Sequence, residues 1–268
     1  MIPRFSEIPR LMAFISAVCL CGCSVNFHVG SVITVTKPFS AKVTAKIPAD
    51  LFVDVGIGDV TIKPAAADSS EVSVTGTLGG EDQATLDAVT VTVVQDAAGT
   101  TRIVAKGPNG KSWKADLTID VPGKTSVTLN SGVGNVSFSA LEGRMKADVG
   151  VGNLKVETLA LSGDSSFKTG VGNVTLGIAS WPKDSTLTAD SGTGNATVRL
   201  PSNLGMTVDA TTGTGSLKTS GIKFEGNPIS KSVVGGSLKG RTKSEPEGRT
   251  LKIISGTGNV KIEGETAK

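Results

Sequence analysis

Few residues in this chain could carry covalent or acid–base chemistry. Its 268 residues include one histidine, three cysteines and no tyrosine. His28 and Cys19, Cys21 and Cys23 all precede residue 30. A histidine-dependent triad or a His/Cys metal centre needs such residues converging from several segments. The carboxylates offer one pattern. Asp54, Asp148 and Asp190 each stand two residues before the first glycine of a recurring Gly-x-Gly. Stacked in register, with Asn130 in line, they would form a weak cation ladder. Lys168 and Thr211 interrupt that line, so turn chemistry is the simpler reading and no metal site is assigned. Trp113 and Trp181 suit sugar stacking if exposed and core capping if not. Gly-x-Gly also invites a nucleotide reading. The third glycine of a dinucleotide fingerprint is absent, for Ser137 and Thr197 stand there. A strand-like alternation, not a helix, follows each copy. No catalytic residue and no cofactor is assigned.

The first 23 residues read as an address. Arg4 and Arg10 precede a mostly apolar run, Leu11 to Leu20. A positive start and a short apolar core make a secretory signal, too short to span a bilayer. Leu20-Cys21-Gly22-Cys23 resembles the bacterial lipobox. By that resemblance the chain is cleaved after Gly22, and Cys23 becomes the lipidation site, carrying acyl chains such as palmitate. Three chains exceed what stable anchoring requires. Ser24, where an aspartate would favour inner-membrane retention, points to the outer membrane if the host is Gram-negative. His28 then falls in a solvated tether. The expected layout is a signal peptide over 1–22, a lipidated tether over 23–39 and one domain over 40–264.

That domain is a repeat. Of the 268 residues, 34 are glycine, nearly twice the roughly 7% of ordinary proteins. Eight of them, Gly58, Gly134, Gly152, Gly172, Gly194, Gly215, Gly236 and Gly258, occupy one position of a recurring unit. Seven copies have another glycine two residues earlier, and Val234 is the exception. The next residue is Asp59, Asn135, Asn153, Asn173, Asn195, Ser216, Ser237 or Asn259. Gly, Asn, Asp and Ser share an aptitude for tight turns. Apolar and polar residues alternate on both sides, as in Val127-Thr-Leu129 and Val136-Ser-Phe138. Period-two alternation is a strand with one buried face.

Each unit is therefore strand, glycine corner, strand. One unit cannot bury its apolar face alone, and stacked units can. From Gly134 onward the spacing of about 20 residues predicts an all-β, parallel β-solenoid resembling a single-stranded β-helix. Phe138, Phe167 and Val198 are expected inside it. The interval between Gly58 and Gly134 has room for further degenerate coils. Within it, segments 71–78, 89–94, 101–105 and 114–121 read as strands, 81–88 as a helical turn and 96–99 as a hairpin turn. Charge over 239–249 would blunt an open sheet edge. An antiparallel meander or sandwich built of hairpins is the competing fold.

The pattern Gly-x-Gly-Asn/Asp followed by alternation, with Ile47-Pro48 and Val121-Pro122 before two copies, resembles the bacterial toast-rack, or adhesin-like, β-strand-repeat family, a domain of unknown function. The resemblance implies a solenoid-like fold and an extracytoplasmic place. It supplies no catalytic or binding residues. The function expected is that of a non-enzymatic envelope lipoprotein with a structural or adhesive surface. Its partners would be a membrane, through the anchor, and a polysaccharide or envelope protein. A net charge of +3 gives no basic footprint for nucleic acid. The alternatives are an accessory of envelope-stress sensing and a polysaccharide-active β-helix enzyme.

Overall fold

The computed structural model describes residues 32–45, 49–66, 69–226, 229–231, 235–242 and 248–265, all within one compact unit, Ser31–Lys268. Cys23, the whole signal segment 1–22 and tether residues 24–31 lie outside the described residues, whereas residues 35–39, expected in the tether, are part of the first strand and pair within a sheet.

Among the described residues the regular structure is one short helix and the strands of two eleven-stranded sheets. Strand β1 (Val35–Thr44) is followed by β2 (Ala49–Ile57) and β3 (Val60–Pro64), which flank the first glycine corner. An excursion then adds β4 (Glu71–Gly80), helix α1 (Gln83–Ala88), β5 (Thr90–Gln95), β6 (Thr101–Lys106) and β7 (Trp113–Val121). Corner-joined pairs come next: β8 (Thr125–Val133) with β9 (Val136–Ser139), and, after the short β10 (Glu142–Gly143), β11 (Met145–Val151) with β12 (Leu154–Leu161). They continue as β13 (Ser165–Val171) with β14 (Val174–Ser180), β15 (Thr186–Thr193) with β16 (Ala196–Pro201), and β17 (Thr207–Thr214) with β18 (Leu217–Ser220). Finally β19 (Ile229–Lys231) and β20 (Gly236–Arg241) precede the last pair, β21 (Thr250–Thr257) with β22 (Val260–Glu265).

In each pair the first strand joins one sheet and the second joins the other. Equivalent strands of neighbouring pairs run parallel: β2–β8–β11–β13–β15–β21–β17 in one sheet, β3–β9–β12–β14–β16–β22–β18 in the other. The sequence alternation dictates which face each strand buries. β7, for instance, alternates buried and half-buried throughout. Between the sheets the register stacks like on like. Leu129, Ala147, Phe167, Ala189 and Ile253 are successive neighbours in one row, all buried. Large and small alternate, which lets layers interdigitate. The rings of Phe138 and Phe167 meet edge to face, centroids 6.2 Å apart. Phe138, Phe167 and Val198 are all core residues.

Three features depart from a uniform parallel coil. The sheets are mixed, with antiparallel strands at their ends: β1–β4–β7 in one sheet, β5–β6 and β17–β20–β19 in the other. The interval after Gly58 does not intercalate further coils. β2 and β3 stack directly on β8 and β9, and the excursion folds outward onto their far side. The last pair in sequence, β21–β22, inserts between β15–β16 and β17–β18. In addition, the edge of β20 is covered in part, by β19 over residues 236–238 and by the Glu225 N–H, which donates to the Arg241 carbonyl.

Local expectations within the excursion are met by standard chemistry. Asp82 caps α1 by accepting from the Thr85 N–H at 2.6 Å, the favoured role of Asp at a helix start. That hydrogen bonding holds its carboxyl below the ordinary value. At the β5–β6 turn Asp96 accepts from the N–H groups of Ala98 and Thr100, each at 3.0 Å. Trp113 and Trp181 are buried in the core, so neither is a sugar platform.

Candidate functional site

The corners form a single structure along the edge where the chain passes from one sheet to the other. Gly58, Gly134, Gly152, Gly172, Gly194, Gly258 and Gly215 all have φ between +138° and +148°, a conformation that L side chains rarely adopt. A Cβ on Gly152 would also stand 2.0 Å from the Gly134 carbonyl oxygen, and one on Gly258 2.0 Å from that of Gly194. Conformation and close approach therefore exclude side chains at the same position. Gly236 has no such role. It lies in β20, antiparallel to β17 and opposite Thr212, which corrects its assignment as a corner.

The residue after the glycine builds a ladder. Asn153 donates its backbone N–H and its Nδ2 to Asn135 Oδ1, at 3.1 and 3.0 Å. Asn173 does the same to Asn153, Asn195 to Asn173, and Asn259 to Asn195, all between 2.8 and 3.0 Å. Each interior rung must accept on one side and donate on the other, and an amide does both. The ends need only half of that chemistry. At one end Asn135 donates to the Asp59 carboxylate at 2.7 and 3.2 Å, and Asp59 N–H donates to Asp116 Oδ1. At the other end Ser216 donates its N–H and Oγ–H to Asn259 at 2.9 and 2.7 Å. The amide dipoles align, N–H ends toward the two aspartates. Lys114 Nζ, 2.6 Å from Asp116, balances the paired carboxylates.

A third position completes the corner. Thr169, Ser191, Ser255 and Thr212, three residues before the corner glycine, donate their hydroxyls to the glycine carbonyl of the adjacent pair, at 2.6 to 2.9 Å. At the equivalent place in β11 stands Val149. The motif Ser/Thr-Gly-x-Gly-Asn thus acts as a stacking code at these four corners, each hydroxyl satisfying a neighbour's backbone, whereas the buried Ser131 hydroxyl of β8 has no such partner and β2 carries Val55 at the position.

What the ladder leaves outward is a strip of glycine, x and asparagine. The x position is Val133, Val151 and Val171, 48%, 48% and 51% exposed, followed by the exposed Thr193, Thr257 and Thr214. From Asn135 to Ser216 the strip holds no charged residue. The acidic row expected beside it is real as a register but not as a cluster. Asp54, Asn130, Asp148, Lys168 and Asp190 are successive neighbours, and Ile254 then separates Asp190 from Thr211. Lys168 sits between two aspartates, and no group of three or more His, Cys, Asp or Glu close enough to hold a metal occurs among the described residues.

Two sheets joined at a glycine–asparagine corner, repeated along one edge, define an all-β repeat protein. The model of the family described as Toastrack DUF4097 matches residues 49–268, and the chain belongs to that family. Among solved structures it is similar to a "putative cell adhesion protein" from Clostridium sporogenes, at 17% identity over 85% of this chain and 100% of the other, with a TM-score of 0.48. A "putative adhesin" from Bacteroides fragilis is 14% identical over 84% and 97%, with a TM-score of 0.38. A "putative lipid binding protein" from Parabacteroides distasonis is 12% identical over 84% and 96%, with a TM-score of 0.30. No curated protein matches.

Proposed function

We propose that this protein is a non-enzymatic, lipid-anchored component of a bacterial envelope, and that its seven stacked corner pairs act as a parallel solenoid segment offering a stiff binding or adhesive surface. The observation that carries this reading is the corner ladder. Its polar groups are committed to neighbouring pairs, which is chemistry spent on rigidity, and the faces on either side are free to meet a partner. The anchor rests on the lipobox-like Leu20-Cys21-Gly22-Cys23. No helix among the described residues is long and apolar enough to cross a membrane, so attachment in this reading runs through Cys23. Extracytoplasmic placement follows from the same segment.

The test is Cys23→Ala in cells. We expect loss of palmitate labelling and release of most of the protein from the membrane fraction. Unchanged labelling and partitioning would overturn the anchor.

A further inference from the structure

One depression opens on the outward face of the sheet that holds β2, β8 and β11. It has a volume of about 340 Å³, opens to solvent and lies over the starts of β2, β8 and β11. That size is at the lower end of small-ligand sites, enough for one or two sugar units. Its chemistry is mixed by row. Arg102 and Thr128 flank Phe52 on the neighbouring strands, and Lys146 follows Thr128. The Arg102 guanidinium lies over the Phe52 ring, 4.3 Å from its centroid, with Asp96 3.9 Å from one terminal nitrogen. That stacking holds a planar cation in place at the wall of the depression.

Arg144 and Lys146 line the same space. Lys146 lies in β11 and Arg144 immediately precedes that strand, its carbonyl accepting from the Val127 N–H, and their two-residue spacing puts both on the outward face. Both are exposed, and neither has an ion-pair partner among the described residues. Three cations thus line one depression, Arg102 on one side and Arg144 and Lys146 on the other, with the Ser126 and Thr128 hydroxyls of β8 between them. Two carboxylates, Asp50 and Asp164, complete the lining. Asp164 accepts from the Thr186 N–H at 2.7 Å, which fixes its orientation.

We infer that this depression binds a carboxylate-bearing saccharide, as in an acidic polysaccharide of the uronic acid type. The guanidinium of Arg144 and the ammonium of Lys146 take the carboxylate through charge-assisted hydrogen bonds. Ser126, Thr128 and the two aspartates take ring hydroxyls. The aspartates also separate this ligand from an acidic peptide, which brings carboxylates but no ring hydroxyls to donate to them. The open ends let a polymer continue past the site. This inference rests on the binding-surface reading above and names its ligand class.

The experiment uses the full chain in detergent and measures trigalacturonate binding by calorimetry. Its methyl ester and hexaglutamate serve as comparison ligands. We expect trigalacturonate to bind, affinity to fall with added salt, and Arg144→Gln with Lys146→Gln to weaken binding at least ten-fold with an unchanged melting midpoint. The ester and the peptide should bind at least ten-fold more weakly. No trigalacturonate binding, equal binding of the ester or of hexaglutamate, or an unaltered affinity in the double variant would overturn the site. Such a result with Cys23 still labelled by palmitate would leave the anchor reading standing. Trigalacturonate binding by a chain that carries no label would do the reverse.

Discussion

The corner-joined pairs and the antiparallel excursion from β4 to β7 belong to the same two sheets, yet they are held together differently. In the excursion, β5–β6 and β4–β7 run antiparallel, and the Asp96 turn of a hairpin sets the register of β5 and β6. In the stack, neighbours run parallel and are separated by whole coils, so no turn can set their register. That task falls to side chains and glycines at the corner. The two solutions meet at β7, which passes the ladder without turning. There Ala115 occupies the glycine column, its carbonyl oxygen 2.0 Å from the point where a Cβ on Gly58 would stand, and Asp116 supplies the terminal acceptor. A straight strand can thus end the column because it needs only to accept.

The comparison can be broken most directly at a glycine. Gly152→Val adds a strained φ and a clash with the Gly134 carbonyl, and should cost at least about 3 kcal/mol. Gly123→Ala, after β7, has no heavy atom within 4 Å of the added carbon and should change stability by less than about 0.5 kcal/mol. Urea unfolding of both variants checks this, and equal losses would remove the distinction. Next in size, Asn173→Asp replaces a donor by an acceptor facing Asn153 Oδ1 and should cost about 1–3 kcal/mol. Gln95→Ala removes exposed hydrogen bonds to the Thr44 and Gly99 carbonyls in the excursion and should stay within about 0.5 kcal/mol.

The smallest effect concerns acid. Lys261 and Arg199 hold the Glu263 carboxyl below its ordinary value. A carboxyl lowered by folding stabilises the protein above its unfolded pKa, and that contribution fades as pH falls through the folded value. Glu263→Gln should flatten the acid limb of the stability profile by less than about 1 kcal/mol. Asp82→Asn should act on the same limb in the excursion, where the Thr85 hydrogen bonds do the lowering. Thermal melts from about pH 6 down to about pH 3, a range that brackets ordinary carboxyl titration, measure both.

Much of this architecture was legible from residue types, because a corner makes a local demand. Positive φ calls for glycine, and a two-sided rung calls for asparagine, so seven of the eight marked glycines stand where the pattern implied. Gly236 carried its own warning: Val234 replaces the first glycine and Ser237 the asparagine. The stacking order was not legible, because each corner presents nearly the same edges and pairing between distant coils is decided in three dimensions. A faint signal existed. The two ladder positions that are not asparagine, Asp59 and Ser216, are the two ends. Ser216 precedes Asn259 in the chain but follows it in space, as a rung with no further amide to satisfy can. The depression was invisible in the sequence, since Arg102 and Arg144 come together only because β2 skips the excursion to pair with both β6 and β8.

The placement of β21–β22 has a consequence for assembly. Ribosomes deliver that ribbon after β17–β18, yet its berth is inboard of them. Until it arrives, β17–β18 has the wrong neighbour or none, so the final stretch of chain acts as a keystone. A nascent or truncated polypeptide lacking it would leave β15 and β17 in one sheet and β16 and β18 in the other without that neighbour, edges vulnerable to proteases and to self-association.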